Sequence, residues 1–405
     1  MSNSPGNPDA LILTFPQGSS LSRWERFGVL DRELPFIRCV ARDIARIVFV
    51  SQTGVDERRI ARSIGDRLGI EAIAISEAEP DPELGQTRGL EERVLAATQG
   101  STSVVIQTMQ YDDGGLGMRL LSPLRCAGRR AALVARGSFI DSRVLASTAG
   151  PSHYSTLRAA DMEKRLCSAA QMIVGVSESM IDELSWRYGI SGERTRVISQ
   201  HVAVDRLSVE RDDNLIVTTG RFSGDCTAIR MAIEAVSQLD EKKREAVRLE
   251  IIGDGPAGRD LPEYARTLGV NTEFRRALTH AELLASLARA TAYVQAETAR
   301  RQSQVVLEAM ALGCPVVATD VPEYNGIIIN GSSGIRVARE TRAFAFAIDC
   351  LLEDKGFRQM LGESAHTQVA VRCSVERVVG ESLACYRDAI RMAPQRGNAG
   401  DRLAS

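Results

Sequence analysis

The chain has 405 residues, of which 44% are apolar and 25% are charged, and its formal net charge is −2. This composition is typical of a globular protein with two domains of roughly 200 residues each, and the charge argues against electrostatic binding of nucleic acid. The eight cysteines form no C-x-x-C pair, no stretch approaches the ~18 apolar residues of a membrane-spanning helix, and the first residues lack the basic start of a signal peptide. We therefore expect free thiols and a cytoplasmic location.

The first half of the chain alternates between short apolar runs and amphipathic stretches. The apolar runs predict strands at 10–15, 46–51, 70–75, 103–108, 131–136, 172–176 and 196–199. The amphipathic stretches predict helices at 57–68, 89–98, 159–170 and 177–188. Strands that alternate with helices form a parallel sheet with helices on both faces.

Three loops of this half follow predicted strands and are candidates for ligand contact. Gly18 lies in the loop 15–20, which has the composition of a phosphate-facing turn, although a plain strand-to-helix turn fits equally well. The loop 111–117 is acidic and glycine-rich, so we expect it to be flexible. Its adjacent aspartates are not spaced for chelation and no histidine or cysteine cluster completes a site, so we predict no metal. In the loop 135–143, Arg136 could hold an acceptor or a phosphate.

The second half repeats the alternation. Strands are predicted at 215–219, 248–252, 272–274, 292–295, 315–318 and 334–337, and helices at 227–239, 260–268, 280–288, 303–312, 341–353 and 356–363. Periodicity is lost between the halves. We therefore place an N-terminal domain at 1–202, a C-terminal domain at 203–374, and a final helix with a disordered tail at 375–405. Two doubly wound domains that face each other would bind ligand in the cleft between them, at the carboxyl ends of both sheets.

The segment SQVVLEAMALGCPVVATDVPE, residues 303–323, is the most informative part of the sequence. It predicts a helix that is apolar on nearly all sides, ends at Gly313 and is followed by a buried strand. Glu308 interrupts the apolar run. A carboxylate is costly to bury unless it binds something, so we predict that Glu308 contacts a ligand. The alternative is a core helix with an incidental Glu.

The strand ends of the second half supply further candidates for ligand binding. Gly220 allows close backbone approach, and Arg221 offers a fixed pair of donors to a phosphate, although a surface Arg is also common at a strand end. Gly253, in the turn after the next strand, is a weaker candidate. The free N–H groups at the start of the 303–312 helix form a natural anion site. These groups lie near Gln302, Ser303 and Gln304. Arg221 and these N–H groups could bind phosphates while Glu308 binds ribose hydroxyls. Together these residues fit a nucleoside diphosphate.

Three stretches of this half resemble the donor domain of glycosyltransferase family 4, the retaining GT-B enzymes. They are GRFS at 220–223, EIIGDGPAGRDLPEYARTLGV at 250–270 and VVLEAMALGCPVVATDVPEYNGIIINGSSGIRV at 305–337. The resemblance implies an α/β fold, GT-B, with two facing Rossmann-like domains, parallel sheets and an interdomain cleft. It also implies sugar transfer with retention and without a metal. By position, Arg221 would bind the diphosphate and Glu308, the second Glu of the family's E-x7-E motif, would bind the ribose.

Two positions depart from the family pattern. The first Glu of E-x7-E falls at Arg300, and the phosphate-binding Lys of the family falls at Cys226. Arg300 could instead meet the phosphates or an acidic donor sugar. We therefore assign Arg221, Arg300 and Glu308 to catalysis, where the cations would stabilise the charge on the departing diphosphate.

The predicted function is a hexosyltransferase-type glycosyltransferase of polysaccharide biosynthesis, acting on a glycan, lipid-linked or small-molecule acceptor. The nucleotide diphosphate sugar is its donor substrate, and no cofactor is expected. The alternative is a degenerate homologue that binds a nucleotide sugar or a partner enzyme without turnover. No nucleic-acid partner is expected. The Arg-rich segment 124–130 is a candidate for peripheral docking on a membrane, although a solvated turn is commoner.

Overall fold

The computed structural model describes residues 6–78, 89–203, 207, 209–222, 226–276, 278–296 and 301–394. The chain forms two compact domains, the first from Met1–Ser199 together with Val375–Ser405 and the second from Gln200–Ser374. All eight cysteines are free, as the sequence predicted. Across the described ranges, every helix is too short or too polar to span a bilayer.

Within the described residues, the first domain is built on a parallel sheet of seven strands in the order β3-β2-β1-β4-β5-β6-β7. These are β1 (Ala10–Thr14), β2 (Arg46–Ser51), β3 (Glu71–Ser76), β4 (Ser103–Thr108), β5 (Arg130–Arg136), β6 (Met172–Gly175) and β7 (Thr195–Val197). Alternate side chains of β1 enter separate apolar clusters: Leu11 lies in one and Ile12 in the other. The sheet is therefore buried on both faces, which explains the continuous apolar runs.

Helices cover both faces of this sheet. They are α1 (Leu21–Arg26), α2 (Val29–Val40), α3 (Glu57–Leu68), α4 (Leu90–Ala97), α5 (Gly114–Cys126), α6 (Asp141–Ala149), α7 (Tyr154–Ala169) and α8 (Glu178–Tyr188). A short 3-10 turn and α5 replace the flexible loop predicted at 111–117, so that prediction was wrong. A Cβ on Gly114 would lie 2.8 Å from Leu166 Cδ2, and one on Gly117 would lie 3.0 Å from Leu133 Cδ1. The glycines allow α5 to pack closely, whereas composition alone suggested flexibility.

The second domain has the same plan. Its sheet has the order β10-β9-β8-β11-β12-β13. The strands are β8 (Leu215–Thr219), β9 (Arg248–Ile252), β10 (Thr272–Arg275), β11 (Ala292–Gln295), β12 (Val316–Thr319) and β13 (Ile335–Val337). The helices are α9 (Thr227–Ser237), α10 (Glu241–Ala246), α11 (Leu261–Thr267), α12 (His280–Arg289), α13 (Gln304–Ala311), α14 (Thr341–Glu353) and α15 (Lys355–Cys373).

The last helix, α16 (Val375–Met392), packs on the sheet of the first domain. Its apolar face lies in the same cluster as Leu11. Tyr386 OH donates to Gln107 Oε1 at 2.7 Å, which ties the helix to β4. The sequence analysis assigned 375–405 to neither domain. In the structure, α16 belongs to the first domain, where its apolar side chains pack on one face of the sheet.

Both sheets reverse their strand order at a central pair of strands. The reversal falls between β1 and β4 in the first domain and between β8 and β11 in the second. Ligands of open α/β sheets bind outside the carboxyl ends of the strands at such a switch point. The predicted α/β fold of two Rossmann-like domains with parallel sheets is confirmed.

Candidate functional site

The predicted ligand residues of the second domain lie around the switch point of its sheet. β8 and β11 are neighbours, with Thr218 paired to Val294. β8 runs into Gly220 and Arg221, and α13, which carries Glu308, is the next element after β11. The structure therefore brings the two predicted phosphate-binding elements to neighbouring strand ends. Arg300 lies outside the described residues.

The turn after β8 is anchored by Phe222, whose ring is buried in the domain. The Phe222 N–H donates to Asp254 O at 3.1 Å, and Phe222 O accepts from the Ala257 N–H at 2.9 Å. These bonds tie the turn after β8 to the turn after β9. Arg221, the residue before this anchor, is exposed at the carboxyl edge of the sheet.

Gly253 allows these two turns to approach each other closely, and Gly220 allows α9 to pack closely on the first of them. A Cβ on Gly253 would lie 1.9 Å from Gly220 O, and a Cβ on Gly220 would lie 2.9 Å from Ile229 Cδ1. Cys226, at the position of the family's Lys, is buried, and its thiol donates to Ala257 O at 3.4 Å. The Cys226 side chain therefore turns into the domain and contributes no positive charge at the edge.

Glu308 is 2% exposed, so its predicted burial is confirmed. His280 Nε2 lies 3.0 Å from Glu308 Oε1. A capping box fixes the start of α12: Thr279 Oγ1 accepts from the Glu282 N–H, and the Glu282 side chain accepts from the Thr279 N–H. Because a carboxylate accepts on two oxygens, Glu308 can bind His280 and a ligand hydroxyl at the same time.

A chain of polar side chains joins β8, β11 and the start of α13. Thr219 Oγ1 lies 2.7 Å from Tyr293 OH, Tyr293 OH donates to Gln295 Oε1, and Ser303 Oγ donates to the same oxygen at 3.4 Å. The Tyr293 proton goes to Gln295, so the Thr219 hydroxyl is the donor of the first bond. The chain fixes the N-terminus of α13 relative to the end of β8.

Two polar atoms at this edge are buried without a hydrogen-bond partner among the described residues. They are Gln302 Oε1, in a residue 4% exposed, and Thr319 Oγ1, in a residue 6% exposed. Gln302 Nε2 donates to Glu323 O at 3.4 Å, which leaves Oε1 as the acceptor end of a fixed amide. Buried polar atoms without partners are rare and costly. Both atoms are suited to bind hydroxyl groups of a ligand.

Gly18 lies in the turn between β1 and α1 with φ 76°, a conformation that favours glycine. The N–H groups of Leu21 and Ser22, at the start of α1, both donate to the Glu57 carboxylate at 2.9 Å. A carboxylate in that position repels a phosphate. Only the backbone groups of the loop at Gly18 could therefore contact a ligand, and the predicted contact of Gly18 stays a prediction.

The arginines that the sequence offered as contacts in the first domain bind within that domain. Arg136 donates to Ser382 Oγ at 3.2 Å and to Ser199 O at 3.1 Å. In the segment 124–130, three arginines donate to backbone carbonyls: Arg125 to Ala131, Arg129 to Leu95 and Arg130 to Arg391. These bonds hold the three guanidinium groups in place. The positive charge of the segment is therefore less free to reach a membrane than its composition suggests.

Asp141, at the start of α6, is a buried carboxyl that the sequence did not single out. Its Oδ2 accepts no hydrogen bond from the described residues. Burial raises the pKa of Asp141 to about 8, and the negative charges of Asp112 and Glu163 act in the same direction. Among the described residues, no group of three or more His, Cys, Asp or Glu side chains is arranged to hold a metal ion.

Residues 213–354, which contain this switch point, match the family Glycosyl transferases group 1. The chain is 30% identical over 213 residues to the lipopolysaccharide core biosynthesis glycosyltransferase LpsE of Rhizobium meliloti (strain 1021), covering 50% of this chain and 59% of that protein. It is 30% identical over 269 residues to D-inositol 3-phosphate glycosyltransferase of Acidothermus cellulolyticus, covering 60% of this chain and 58% of that protein. The chain thus spans less than two thirds of the length of these curated relatives.

Two solved structures are similar over nearly the whole chain. Anabaena HepE in complex with UDP has a TM-score of 0.67 at 17% identity, covering 93% of this chain and 99% of that one. Sucrose-phosphate synthase of Thermosynechococcus elongatus has a TM-score of 0.73 at 16% identity, covering 95% of this chain and 100% of that one. These similarities show the fold, which is that of the GT-B glycosyltransferases.

Proposed function

We propose, from the match of residues 213–354 to Glycosyl transferases group 1, that this protein is a glycosyltransferase whose donor is a nucleotide diphosphate sugar. The observation that carries the proposal is Glu308, a carboxylate 2% exposed in an otherwise apolar helix at the switch point of the second sheet. The relatives named above are glycosyltransferases. The similar HepE structure contains UDP, which supports a nucleoside diphosphate as the ligand of this edge.

Each part of such a donor has a proposed counterpart in the second domain. Arg221 and the first N–H groups of α13 would bind the diphosphate, and those N–H groups lie near Gln302, Ser303 and Gln304. Glu308 would accept hydrogen bonds from the ribose hydroxyls. The turns at Gly220 and Gly253 would let the backbone approach the ligand.

The sugar itself would be recognised by the buried atoms that have no partner in the described protein. Gln302 Oε1 can only accept a hydrogen bond, and Thr319 Oγ1 can donate or accept one. Sugar hydroxyls satisfy both requirements. Occupation of the site would thus remove the free-energy cost of burying these two atoms unpaired.

We further propose transfer with retention and without a metal ion. Charge on the departing diphosphate would be stabilised by Arg221, Arg300 and the amides of α13. The proposed acceptor is a glycan, a lipid-linked sugar or a small molecule, and Gly18 is a candidate contact from the first domain. The proposed cytoplasmic location is supported by the eight free cysteines, which suit a reducing compartment.

Calorimetric titration of UDP, GDP, ADP and dTDP, followed by assays with the corresponding nucleotide sugars, tests this proposal. We expect one diphosphate to bind more tightly than its nucleoside, because the phosphates add contacts with Arg221 and the α13 amides. The matching nucleotide sugar should then be consumed with release of that diphosphate. A folded protein that binds none of the four would rule out the proposed donor site.

The ribose assignment is tested by Glu308→Gln, which keeps the volume and removes the charge. Hydrogen bonds to charged groups contribute about 1.5–3 kcal/mol, so affinity for the diphosphate should fall about tenfold or more. The control is Glu163→Gln in the first domain, which changes another carboxylate that is 1% exposed and should leave the affinity unaltered. Equal affinity of Glu308→Gln and wild type would show that Glu308 does not bind the nucleotide.

A further inference from the structure

Ser303 precedes α13 but does not cap it, although serine is well suited to that position. Its backbone is extended, with φ −83° and ψ 129°, yet its side chain accepts no capping hydrogen bond within the described residues. In the described part of the chain, five other residues do accept a bond from the third N–H of the helix that follows them: Ser20, Ser177, Asp240, Thr279 and Asp354. Ser303 is therefore held in a different orientation.

Gln295 accounts for that orientation. Ser303 Oγ donates to Gln295 Oε1 at 3.4 Å. The Ser303 hydroxyl is therefore bound to the last residue of β11 and not to the first N–H groups of α13. Tyr293 OH donates to the same Gln295 oxygen. Tyr293 is fully buried, and both hydroxyls donate to Oε1, so the oxygen of the Gln295 amide is the end that faces Ser303.

We propose that Gln295 keeps the N-terminus of α13 open for a diphosphate by holding the Ser303 hydroxyl away from the helix N–H groups. The inference rests on the proposed function. An N-cap hydroxyl and a phosphate oxygen compete for the same N–H groups. Gln302 Oε1, in the residue before Ser303, is buried and accepts no bond from the described residues. It is the independent sign that a ligand binds beside this terminus, and as an acceptor it suits a sugar hydroxyl of that ligand and not a phosphate oxygen. Gln295 is thus a positioning residue that acts through Ser303.

The variant Gln295→Met removes the acceptor and keeps a side chain of similar length. Tyr293 OH can then donate to Thr219 Oγ1, 2.7 Å away, so its hydroxyl keeps a partner. The released Ser303 is expected to cap α13 and compete with the diphosphate. UDP affinity should fall about fivefold, the equivalent of the roughly 1 kcal/mol of an N-cap hydrogen bond. Affinity for uridine, which has no phosphate, should not change.

The double variant Gln295→Met with Ser303→Gly separates this role from a structural one. Glycine is an acceptable N-cap but has no hydroxyl to compete with a ligand. UDP affinity of the double variant should return to within about twofold of the wild type, since glycine at the N-cap costs only a few tenths of a kcal/mol. A residue that merely supports the fold would not be rescued by a second truncation. If thermal melting shows that Gln295→Met does not fold, Gln295→Leu replaces it in the single and in the double variant.

Three results would overturn the inference: unchanged UDP affinity of Gln295→Met, an equal loss of uridine and UDP affinity, or a double variant as weak as the single one. If the wild type prefers GDP, ADP or dTDP, that diphosphate and its nucleoside replace UDP and uridine. A wild type that binds none of them refutes the proposed function itself. That failure is distinct, because it is seen before any substitution is made.

Discussion

His280 Nε2 lies 3.0 Å from Glu308 Oε1, and this contact joins the first residue of α12 to the buried middle of α13. The Glu308 side chain is 2% exposed and that of His280 is 17% exposed. Burial removes a carboxylate from water at a cost of several kcal/mol, which the histidine contact partly offsets. His280 therefore helps to fix the position of the Glu308 carboxylate, the group proposed to bind the ribose, before any nucleotide binds.

His280→Ala should destabilise the protein by roughly 1–3 kcal/mol, because a buried acceptor loses its donor. Urea denaturation of His280→Ala, Glu308→Gln and the double variant measures the coupling, which we expect to be at least 0.5 kcal/mol as is usual for residues in contact. Strictly additive effects would mean that the pair does not interact in solution.

Arg221→Ala should weaken binding of the nucleoside diphosphate far more than binding of the nucleoside. An arginine in hydrogen-bond contact with phosphate contributes about 1.5–3 kcal/mol, so a loss of tenfold or more is expected by calorimetry. The control is Arg266→Ala, an exposed arginine that pairs with Glu263 on α11. Equal losses for the diphosphate and the nucleoside would make Arg221 structural.

Arg300→Glu restores the residue that the resembled family carries at this position. If Arg300 contacts the diphosphate in the native reaction, the change replaces attraction with repulsion. Turnover should be abolished and diphosphate affinity should fall. Turnover that rises or stays the same would show that Arg300 is not a cationic contact of the donor.

Asp141 should make the stability of the first domain depend on pH. Its pKa of about 8 in the folded protein lies above the ordinary value of 3.8, so the folded state holds this proton more tightly than the unfolded state. The stabilisation is fully present below pH 3.8 and is lost as the pH rises through 8. Asp141→Asn should therefore stabilise the protein at pH 8–9 by roughly 5 kcal/mol relative to its effect at pH 4, since each pKa unit of the shift is equivalent to about 1.4 kcal/mol. Urea denaturation at both ends of this range checks the sign, and Asp161→Asn, which changes an exposed aspartate of α7, should show no such trend.

The sequence was sufficient to predict the strands of both sheets, because a doubly buried strand and an amphipathic helix have different periodicities. The predicted strand 46–51 and helix 57–68 have the bounds of β2 and α3. The burial of Glu308 was also predictable, since one carboxylate interrupted an apolar helix. Its partner was not. His280 lies 28 positions away on another helix, and the pattern around it indicated only the start of that helix.

Tertiary packing decided the features that the sequence left open. The spacing of apolar residues in α16 showed that one face would be buried, but not that the sheet of the first domain would cover it. Likewise, the residue type of Ser303 predicts an N-cap, whereas Gln295, on a different element, turns its hydroxyl aside. Such contacts depend on three-dimensional proximity, which local sequence does not encode.

The return of α16 to the first sheet has a consequence for synthesis on the ribosome. All residues of the second domain, Gln200–Ser374, are made before Val375 appears, whereas the first domain lacks one of its covering helices until α16 has followed them. The apolar surface that α16 covers stays open throughout that interval, and such surfaces promote aggregation. Of the two domains, the one begun first is thus completed second, and a chain that stops after Ser374 would lack a covering helix of the first domain while containing every residue of the second domain.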